Sequence, residues 1–367
     1  MHRRIRTFKS ILFFYTLWAS SVYGISLEHK YPSYTYVFHE FDIDESYLYN
    51  EDFISFVSKH EKKLRSFYTR SLLRGKEILP MIQGLLVEDG VSDLFIYLSM
   101  VESGFSTDAV SPKKAVGLWQ FMPATAKEYN LTVCRSYDER CDPVNATSAA
   151  IAYLNTLHKQ FGKWYLSAMA YNCGEGCVSR AIKRAGTDEL SVLIDGDLNY
   201  LPRETRQYMK KILLLAMIGE NDTLGFSNNT DAMPENALIQ VNVLAGTPLK
   251  EIASLLKMKE ETLLSLNRSI KEGRIPQEKA TYKITIPIEK VYAFYLRYQL
   301  REKEKVFKSH MISHHVALGE TVESIAALYE VDAEEIITAN HLKNDYLFLD
   351  RLLVIPVKKK IFDNMLK

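Results

Sequence analysis

The residue of this sequence best placed to move a proton is a glutamate in an apolar setting. At about 100° per residue, Leu94, Leu98 and Val101 fall on one helical stripe, and Glu102 projects between Phe95 and Leu98. A carboxylate among apolar neighbours is costly as an anion. Its pKa rises and it keeps a proton near neutral pH, as a general acid must. Ser103-Gly104 ends the helix directly afterwards and leaves Glu102 on its last turn, at the lip of a cleft. The competing reading is a helix-end glutamate turned to solvent, the ordinary fate of such a side chain.

The flanking elements read as helices. Ser92 caps the Glu102 helix, and Asp89-Gly90 closes the helical pattern before it. That pattern runs from Glu51 to about Leu86 through Phe53, Phe56, Val57, Leu64, Phe67 and Leu72, punctuated by Pro80 and Gly84. Tyr31 to Tyr49, rich in Tyr, Asp and Glu, reads as a poorly packed lead-in. Ala124 to Tyr129 is a short helix. A long one from about Asn145 to Phe161 carries Ile151, Leu154, Leu157 and His158 on successive turns, with His158 as a packing residue. Ser167, Ala168 and Ala170 permit close helix approach after Trp164, and Gly174 and Gly176 open the backbone after Tyr171-Asn172. The unbroken apolar run Ile212 to Ile218 belongs to a helix buried on most sides. No strand-like alternation occurs in this segment, which is therefore all-α.

The 367 residues suffice for two or three domains, and a formal net charge of +1 argues against a dedicated nucleic-acid binder. Arg3, Arg4, Arg6 and Lys9 precede an apolar run from Ile11 to Ala19 and small residues at Ser20, Ser21 and Gly24, the secretory signal pattern. Cleavage after Ser21 or Gly24 and retention as a marginal anchor are both compatible with it. No cysteine stands near that region, so a lipoprotein is not expected. Four cysteines, Cys134, Cys141, Cys173 and Cys177, fall in one segment. In an exported chain disulfides are the default, and the short-range pairing Cys134–Cys141 with Cys173–Cys177 is preferred over the other two. The second pair is strained on one helix unless Gly174 and Gly176 bend the backbone. A four-thiolate zinc site competes, but the spacings are not those of a zinc ribbon.

Towards the end of the chain Val243-Leu244-Ala245-Gly246-Thr247 to Ile252-Ala253 recurs as Val316-Ala317-Leu318-Gly319-Glu320 to Ile325-Ala326. The offset holds through Asn267 and Asn340, and the copies close on Ile286-Pro287 and Ile355-Pro356. This is an internal repeat of strand, helix, helix and strand. Between the copies, Val291 to Lys305 reads as a charged, aromatic-rich helical linker or strut.

Four motifs now stand in order: Glu102-Ser103 with Ser111, Gly117-Leu118-Trp119-Gln120 with Pro123, Ala170-Tyr171-Asn172-Cys173-Gly174-Glu175-Gly176, and Pro202 to Tyr208. Together, over about Leu85 to Glu220, they resemble the lytic murein transglycosylases, a family with a goose-lysozyme-like catalytic domain. Cys173 stands where that family has a small residue. The repeats resemble LysM carbohydrate-binding modules. The second keeps Gly319-Glu320-Thr321, Ser324-Ile325-Ala326 and Ile355-Pro356, whereas the first departs with Gly246-Thr247-Pro248 and the insertion KEGRIPQEKATY. The resemblance implies a mainly α protein, an all-α lysozyme-like domain followed by two small α+β (βααβ) modules. The expected divisions are a signal peptide (1–24), a helical lead-in (25–84), the catalytic domain (85–225), a degenerate LysM-like module (238–290), a helical linker (291–310) and a LysM module (311–358).

The implied substrate is peptidoglycan glycan, and the implied reaction leaves a 1,6-anhydromuramyl end without metal or cofactor. Glycosidases ordinarily use two carboxylates. Asp108, Asp142 and Glu175 are the candidates for a second, each with an ordinary loop or turn reading. A one-carboxylate site fits the implied route, in which Glu102 is first acid and then base. The resemblance assigns substrate-binding or orienting roles to Ser103, Ser111, Gln120, Met122, Tyr171, Asn172 and Tyr208. Within these, Ser103 and Gln120 bond sugar N-acetyl groups or Glu102, Met122 and Phe121 wall the cleft, and Tyr208 donates to Glu102. Trp119 is core. The expected partners are peptidoglycan glycan strands, with other cell-wall enzymes as candidates, and not nucleic acid; the expected location is the periplasm or cell envelope. The alternatives are a lysozyme-type hydrolase and a non-catalytic peptidoglycan-binding protein.

Overall fold

The computed structural model describes residues 26–224, 237–278, 280–299, 310–340, 342, 347, 351–358 and 361–363. The expected signal peptide (1–24) and the second half of the expected linker lie outside the described residues. The N-terminal unit contains α1 (Leu27–Lys30), α2 (Tyr34–Glu40), α3 (Glu51–Gly75), α4 (Leu79–Glu88), α5 (Ile96–Ser103), α6 (Pro123–Glu128), α7 (Pro143–Phe161), α8 (Trp164–Cys173), α9 (Glu175–Ala185), α10 (Leu190–Leu193) and α11 (Arg203–Leu224).

Helix α11 is its axis. Met209 and every residue from Ile212 to Ile218 are fully buried, because α2, α3, α5 and α8 all pack against it. Its one deeply buried cation, Lys210, pairs with Asp52 at the start of α3. Close approach of α5 depends on Gly219, where a Cβ would stand 2.0 Å from the Tyr97 hydroxyl. That hydroxyl donates to Glu220 at 2.8 Å and fixes the register of the two helices that carry Glu102 and Tyr208.

Tyr31 to Tyr49 is no lead-in. Tyr31, Val37, Phe38 and Phe41 are fully buried in the main core, and Tyr47 packs on Phe53 with ring centroids 5.1 Å apart. Tyr34, Val37, Phe38 and Phe41 recur at helical spacing and form one apolar face, while the acids Glu40, Asp42, Asp44 and Glu45 lie outside it. The Ser33 hydroxyl donates to Asn221 at 2.6 Å and ties this face to the end of α11.

The two repeats fold alike. In the first, β1 (Leu238–Leu244), α12 (Leu249–Leu255), α13 (Glu260–Leu266) and β2 (Thr281–Pro287) enclose a small core, with the strands antiparallel from Leu238 opposite Pro287 to Leu244 opposite Thr281. Next comes α14 (Val291–Phe294), followed by a wide turn over Tyr295–Gln299. The second repeat contains β3 (His310–His315), α15 (Val322–Tyr329), α16 (Ala333–Asn340) and β4 (Leu352–Val357). Its own core includes Val322, Ile325, Ile336 and Ile355. The repeated asparagines explain themselves. Asn267 donates to Leu263 and Thr285 carbonyls and accepts from the Thr285 N–H at 2.7 Å; Asn340 does the same with Ile336 and Val354, again at 2.7 Å. Each amide clamps a helix end to the closing strand.

The expected linker is, over 291–299, part of the first module. Phe294 and Tyr298 are buried in its core, and the Tyr298 hydroxyl accepts from the Leu244 N–H at 2.9 Å. This module is also docked on the helical unit. Residues 133–138 turn back on themselves, and their outer edge pairs with the module: Asp138 N–H donates to Ser269 O at 2.9 Å, and Lys271 N–H to Ser136 O at 3.0 Å. Tyr137 inserts into the module's core against Tyr282, with centroids 5.1 Å apart. Among the described residues no helix is long and apolar enough to cross a membrane.

Candidate active site

Ser92 accepts from the Leu94 N–H and starts a short turn over Asp93–Phe95 that runs into α5. Gly104, in the left-handed region at φ 57°, ends α5 one residue after Ser103 and leaves Glu102 on the last turn. Glu102 keeps part of its surface open, but burial of its carboxyl pushes its pKa up to about 7. The Tyr208 hydroxyl donates to Glu102 Oε1 at 2.6 Å and, with Lys211, moderates that rise; the charge of Glu204 adds to it. Tyr208 itself is buried, and burial and the Glu102 charge hold its phenol well above its ordinary pKa, so it remains a donor. Tyr171 stands close enough to Glu102 to feel its charge after burial, and donates to Trp119 O at 2.8 Å.

The loop facing Glu102 is held largely through its own backbone. Ser99 and Ser103 both donate to Leu118 O, at 3.1 and 2.8 Å. Gln120, at φ 50°, donates from Nε2 to Gly117 O at 2.8 Å and Ala109 O at 3.2 Å. Ser111 Oγ accepts from the Ala115 N–H at 3.0 Å. Gly117 is irreplaceable by shape: at φ 85° a Cβ would lie 1.8 Å from Arg140 O. Arg140 is buried, paired with Asp138 at 2.9 Å, and donates to Phe121 O at 3.2 Å and Lys114 O at 3.3 Å. Trp119 is core, its indole N–H donating to Thr147 at 2.9 Å.

Glu102, Tyr171 and Tyr208 are thus brought together. Asn172 is near them on α8 but its Oδ1 accepts from Thr205 at 2.8 Å, linking α8 to α11. Ser103 and Ser111 do not reach Glu102 with their hydroxyls, which are engaged with backbone. The Gln120 amide donors brace their own loop. Met122 is 42% exposed beside it. His158 stacks on Trp164 at 3.9 Å, a packing role.

Of the suggested second carboxylates, Asp108 is engaged with Ser106 and Arg268, Asp142 caps α7, and Glu175 is exposed in the first turn of α9. The carboxylate that Glu102 does feel is Glu204, exposed and 3.8 Å from Lys113. It lies within the Pro202–Tyr208 motif, as does Thr205, and that motif was the signal available for both. Arg140 and Thr147 carry no sequence signal.

Cys173 and Cys177 are disulfide-bonded, with Cα atoms 5.8 Å apart. Gly174 separates α8 from α9 between them, so the pair joins two helices instead of spanning one. The expected Cys134–Cys141 bond is absent. Cys134 is exposed beside Ser136 and Glu278, whereas Cys141 is buried and accepts from Lys271 at 3.4 Å. The intervening turn sends the two side chains to different neighbours. The bond between Cys173 and Cys177 engages two of the four sulfurs that a four-thiolate site would need.

Residues 86–194 match the transglycosylase SLT domain family, residues 237–302 the LysM-like domain of lytic transglycosylase MltD, and residues 314–356 the LysM domain. Membrane-bound lytic murein transglycosylase D of Escherichia coli (strain K12) is 28% identical over 299 residues, covering 77% of this chain; the chain spans 64% of that relative's length. Peptidoglycan transglycosylase gp16 of Escherichia phage T7 is 36% identical over 143 residues, 37% of this chain and 10% of that protein. The soluble lytic transglycosylase SLT70 of Escherichia coli is a solved structure with 22% identity, covering 40% of this chain and 24% of that one, at a TM-score of 0.34. The chain therefore carries a match to the transglycosylase SLT domain on its helical unit, followed by an MltD-type LysM-like module and a LysM domain.

Proposed function

We propose that this protein is a peptidoglycan lytic transglycosylase, cleaving the β-1,4 bond between N-acetylmuramic acid and N-acetylglucosamine and leaving a 1,6-anhydromuramyl end. The observation that carries this is Glu102, a carboxyl with its pKa near 7 held by a neutral donor within an SLT domain. Protonated Glu102 gives its proton to the glycosidic oxygen as the C1–O bond breaks. The positive charge developing at C1 is taken up by the ring oxygen or the substrate's own N-acetyl group. Glu102, now an anion stabilised by the Tyr208 hydroxyl, then removes the proton of the C6 hydroxyl as that oxygen closes onto C1. The proton returns to Glu102 and the site is reset without water. One carboxyl can serve both steps only if its two forms are close in free energy at working pH, as a pKa near 7 provides.

In this reading Ser111, Gln120, Met122 and Asn172 line or shape the sugar cleft, Tyr171 orients the loop through Trp119, and Ser103 positions Leu118. The LysM domain holds the enzyme on glycan and raises the local concentration of scissile bonds. An N-terminal export signal, the Cys173–Cys177 bond and a periplasmic or envelope-associated location are consistent with such a substrate. Mass spectrometry of digested sacculi tests the reading. Anhydromuramyl products, lighter by one water than the hydrolysis products, are expected; reducing muramyl ends alone would assign a lysozyme-type hydrolase instead. Glu102→Gln is expected to abolish cleavage while sacculus binding persists.

A further inference from the structure

We propose that a second cleft, adjoining the Asn172–Thr205 hydrogen bond, binds the carboxylates of peptides attached to the glycan; this rests on the peptidoglycan reading above. The cleft, of about 470 Å³, is formed by α9, the start of α11 and the segment before it, and is walled by Cys177, Arg180, Arg184, Tyr200, Arg203 and Arg206. None of its lining residues is acidic. In a chain with 46 basic and 45 acidic residues, four arginines around one cleft are not a consequence of composition.

Like charges at i, i+4 on one helix face repel, and Arg180 and Arg184 are so placed on α9. Both are exposed, as is Arg203, and among the described residues no carboxylate lies within ion-pair distance of any of the three. The nearby acids are committed. Asp195 accepts from the Asp197 and Leu198 N–H groups at 2.7 and 3.0 Å, and Glu204 faces Lys113. Arg206 is buried and donates to the Asp195 and Gly196 carbonyls at 2.6 and 2.9 Å, shaping the rim, and its charge acts on the Asp195 carboxylate, so the ligand-facing cations are Arg180, Arg184 and Arg203. Arg184 lies over the Tyr200 ring at 5.6 Å, a cation–π contact that restrains its guanidinium at the cleft wall. A restrained guanidinium fork is matched to a carboxylate.

The cleft is also in the right place. Arg203 and Tyr208 lie on the same helix, about 7.5 Å apart along its axis and about 140° apart around it, which separates their side chains by about 13 Å. The Cys173–Cys177 bond pins the wall of the cleft to the end of α8, one residue from Asn172. An extended peptide of four residues spans about 13–14 Å. A muramyl sugar held at Glu102 would therefore deliver the acidic residues of its peptide to these arginines.

The test uses the full chain carrying Glu102→Gln, so that binding is read without turnover. A soluble disaccharide bearing an acidic tetrapeptide is titrated calorimetrically beside the same compound with its carboxylates amidated. The acidic form is expected to bind about five- to tenfold tighter, and Arg180→Glu/Arg184→Glu is expected to erase that difference. Arg180→Gln/Arg184→Gln, with its thermal melt recorded, repeats the measurement should charge reversal disturb folding. Equal affinity for the two compounds, a preference untouched by both variants, or inorganic phosphate competing as well as the acidic peptide would each overturn the assignment. A chain that makes this discrimination yet never cleaves sacculi would refute the activity and not the cleft.

Discussion

Tyr208 donates its phenolic proton to Glu102 at 2.6 Å, joining the last turn of α5 to a helix 106 residues further along the chain. The donor is neutral, and this decides the chemistry. A cation at that distance would pull a buried carboxyl down to the range of an ordinary one and strip it of its proton. A phenol moderates the rise caused by burial without cancelling it. It also remains a donor when Glu102 becomes an anion, because its own pKa is pushed well above the ordinary value.

Tyr208→Phe therefore raises the Glu102 pKa further, since the lost hydrogen bond favours the anion. The alkaline limb of kcat/KM on solubilised glycan is expected to move to higher pH, and kcat to fall by about 10- to 100-fold as the base loses its support. A pH profile with an unmoved limb would separate Tyr208 from the proton transfer.

Glu102 also stores instability. Its folded-state pKa of about 7 lies above its ordinary value of 4.5, so the folded protein binds the proton more tightly than the unfolded chain does. Stability from this group is whole below the unfolded value and falls as pH rises from about 4.5 to about 7. Glu102→Gln removes that loss: the variant is expected to be more stable than wild type by about 1–3 kcal/mol at pH 8, with the gain vanishing near pH 4. Paired thermal melts at the two pH values check it.

Gly117→Ala should be among the most damaging single substitutions in the helical domain. The new Cβ would overlap Arg140 O at 1.8 Å, and the residue would have to hold φ 85°. A loss of about 3 kcal/mol or more is expected. Denaturant unfolding measures it, and a loss under about 1 kcal/mol would mean that the loop has another packing.

The cysteines separate cleanly. The Cys173–Cys177 bond closes a loop of sequence separation 4, so replacing both with alanine is expected to cost about 2 kcal/mol, near the low end for a disulfide. Cys134→Ser, at an exposed position, is expected to stay within about 0.5 kcal/mol of wild type. Thiol quantification under denaturing conditions should find two reactive groups, from Cys134 and Cys141.

The sequence legibly carries those features that rest on periodicity or on a backbone-breaking residue. Glu102 before Gly104, the apolar run of α11 and the repeated asparagines of the two modules are of this kind. Tyr31 to Tyr49 misleads because its apolar face is only about two turns long and runs straight into the acids Glu40, Asp42, Asp44 and Glu45. The site's bracing is hidden for a different reason. Ser99, Ser103, Gln120 and Arg140 spend their donors on backbone carbonyls, and a carbonyl is the same whatever residue bears it. Glu204 is visible as a motif letter, but its pull on Glu102 depends on α5 and α11 lying side by side, which only the packing at Gly219 decides.

The backbone pairing of Ser136 and Asp138 with Ser269 and Lys271 has an energetic meaning as well as a geometric one. Neither partner can melt without stripping the other of hydrogen bonds and exposing Tyr137, which is counted in the module's interior although the helical domain supplies it. The first LysM-like module is thermodynamically a lobe of the helical domain, while the second keeps an interior of its own. Three sequence families thus correspond to two melting units, and a calorimetric trace of the chain should resolve into two transitions, the larger belonging to the helical domain and its lobe together.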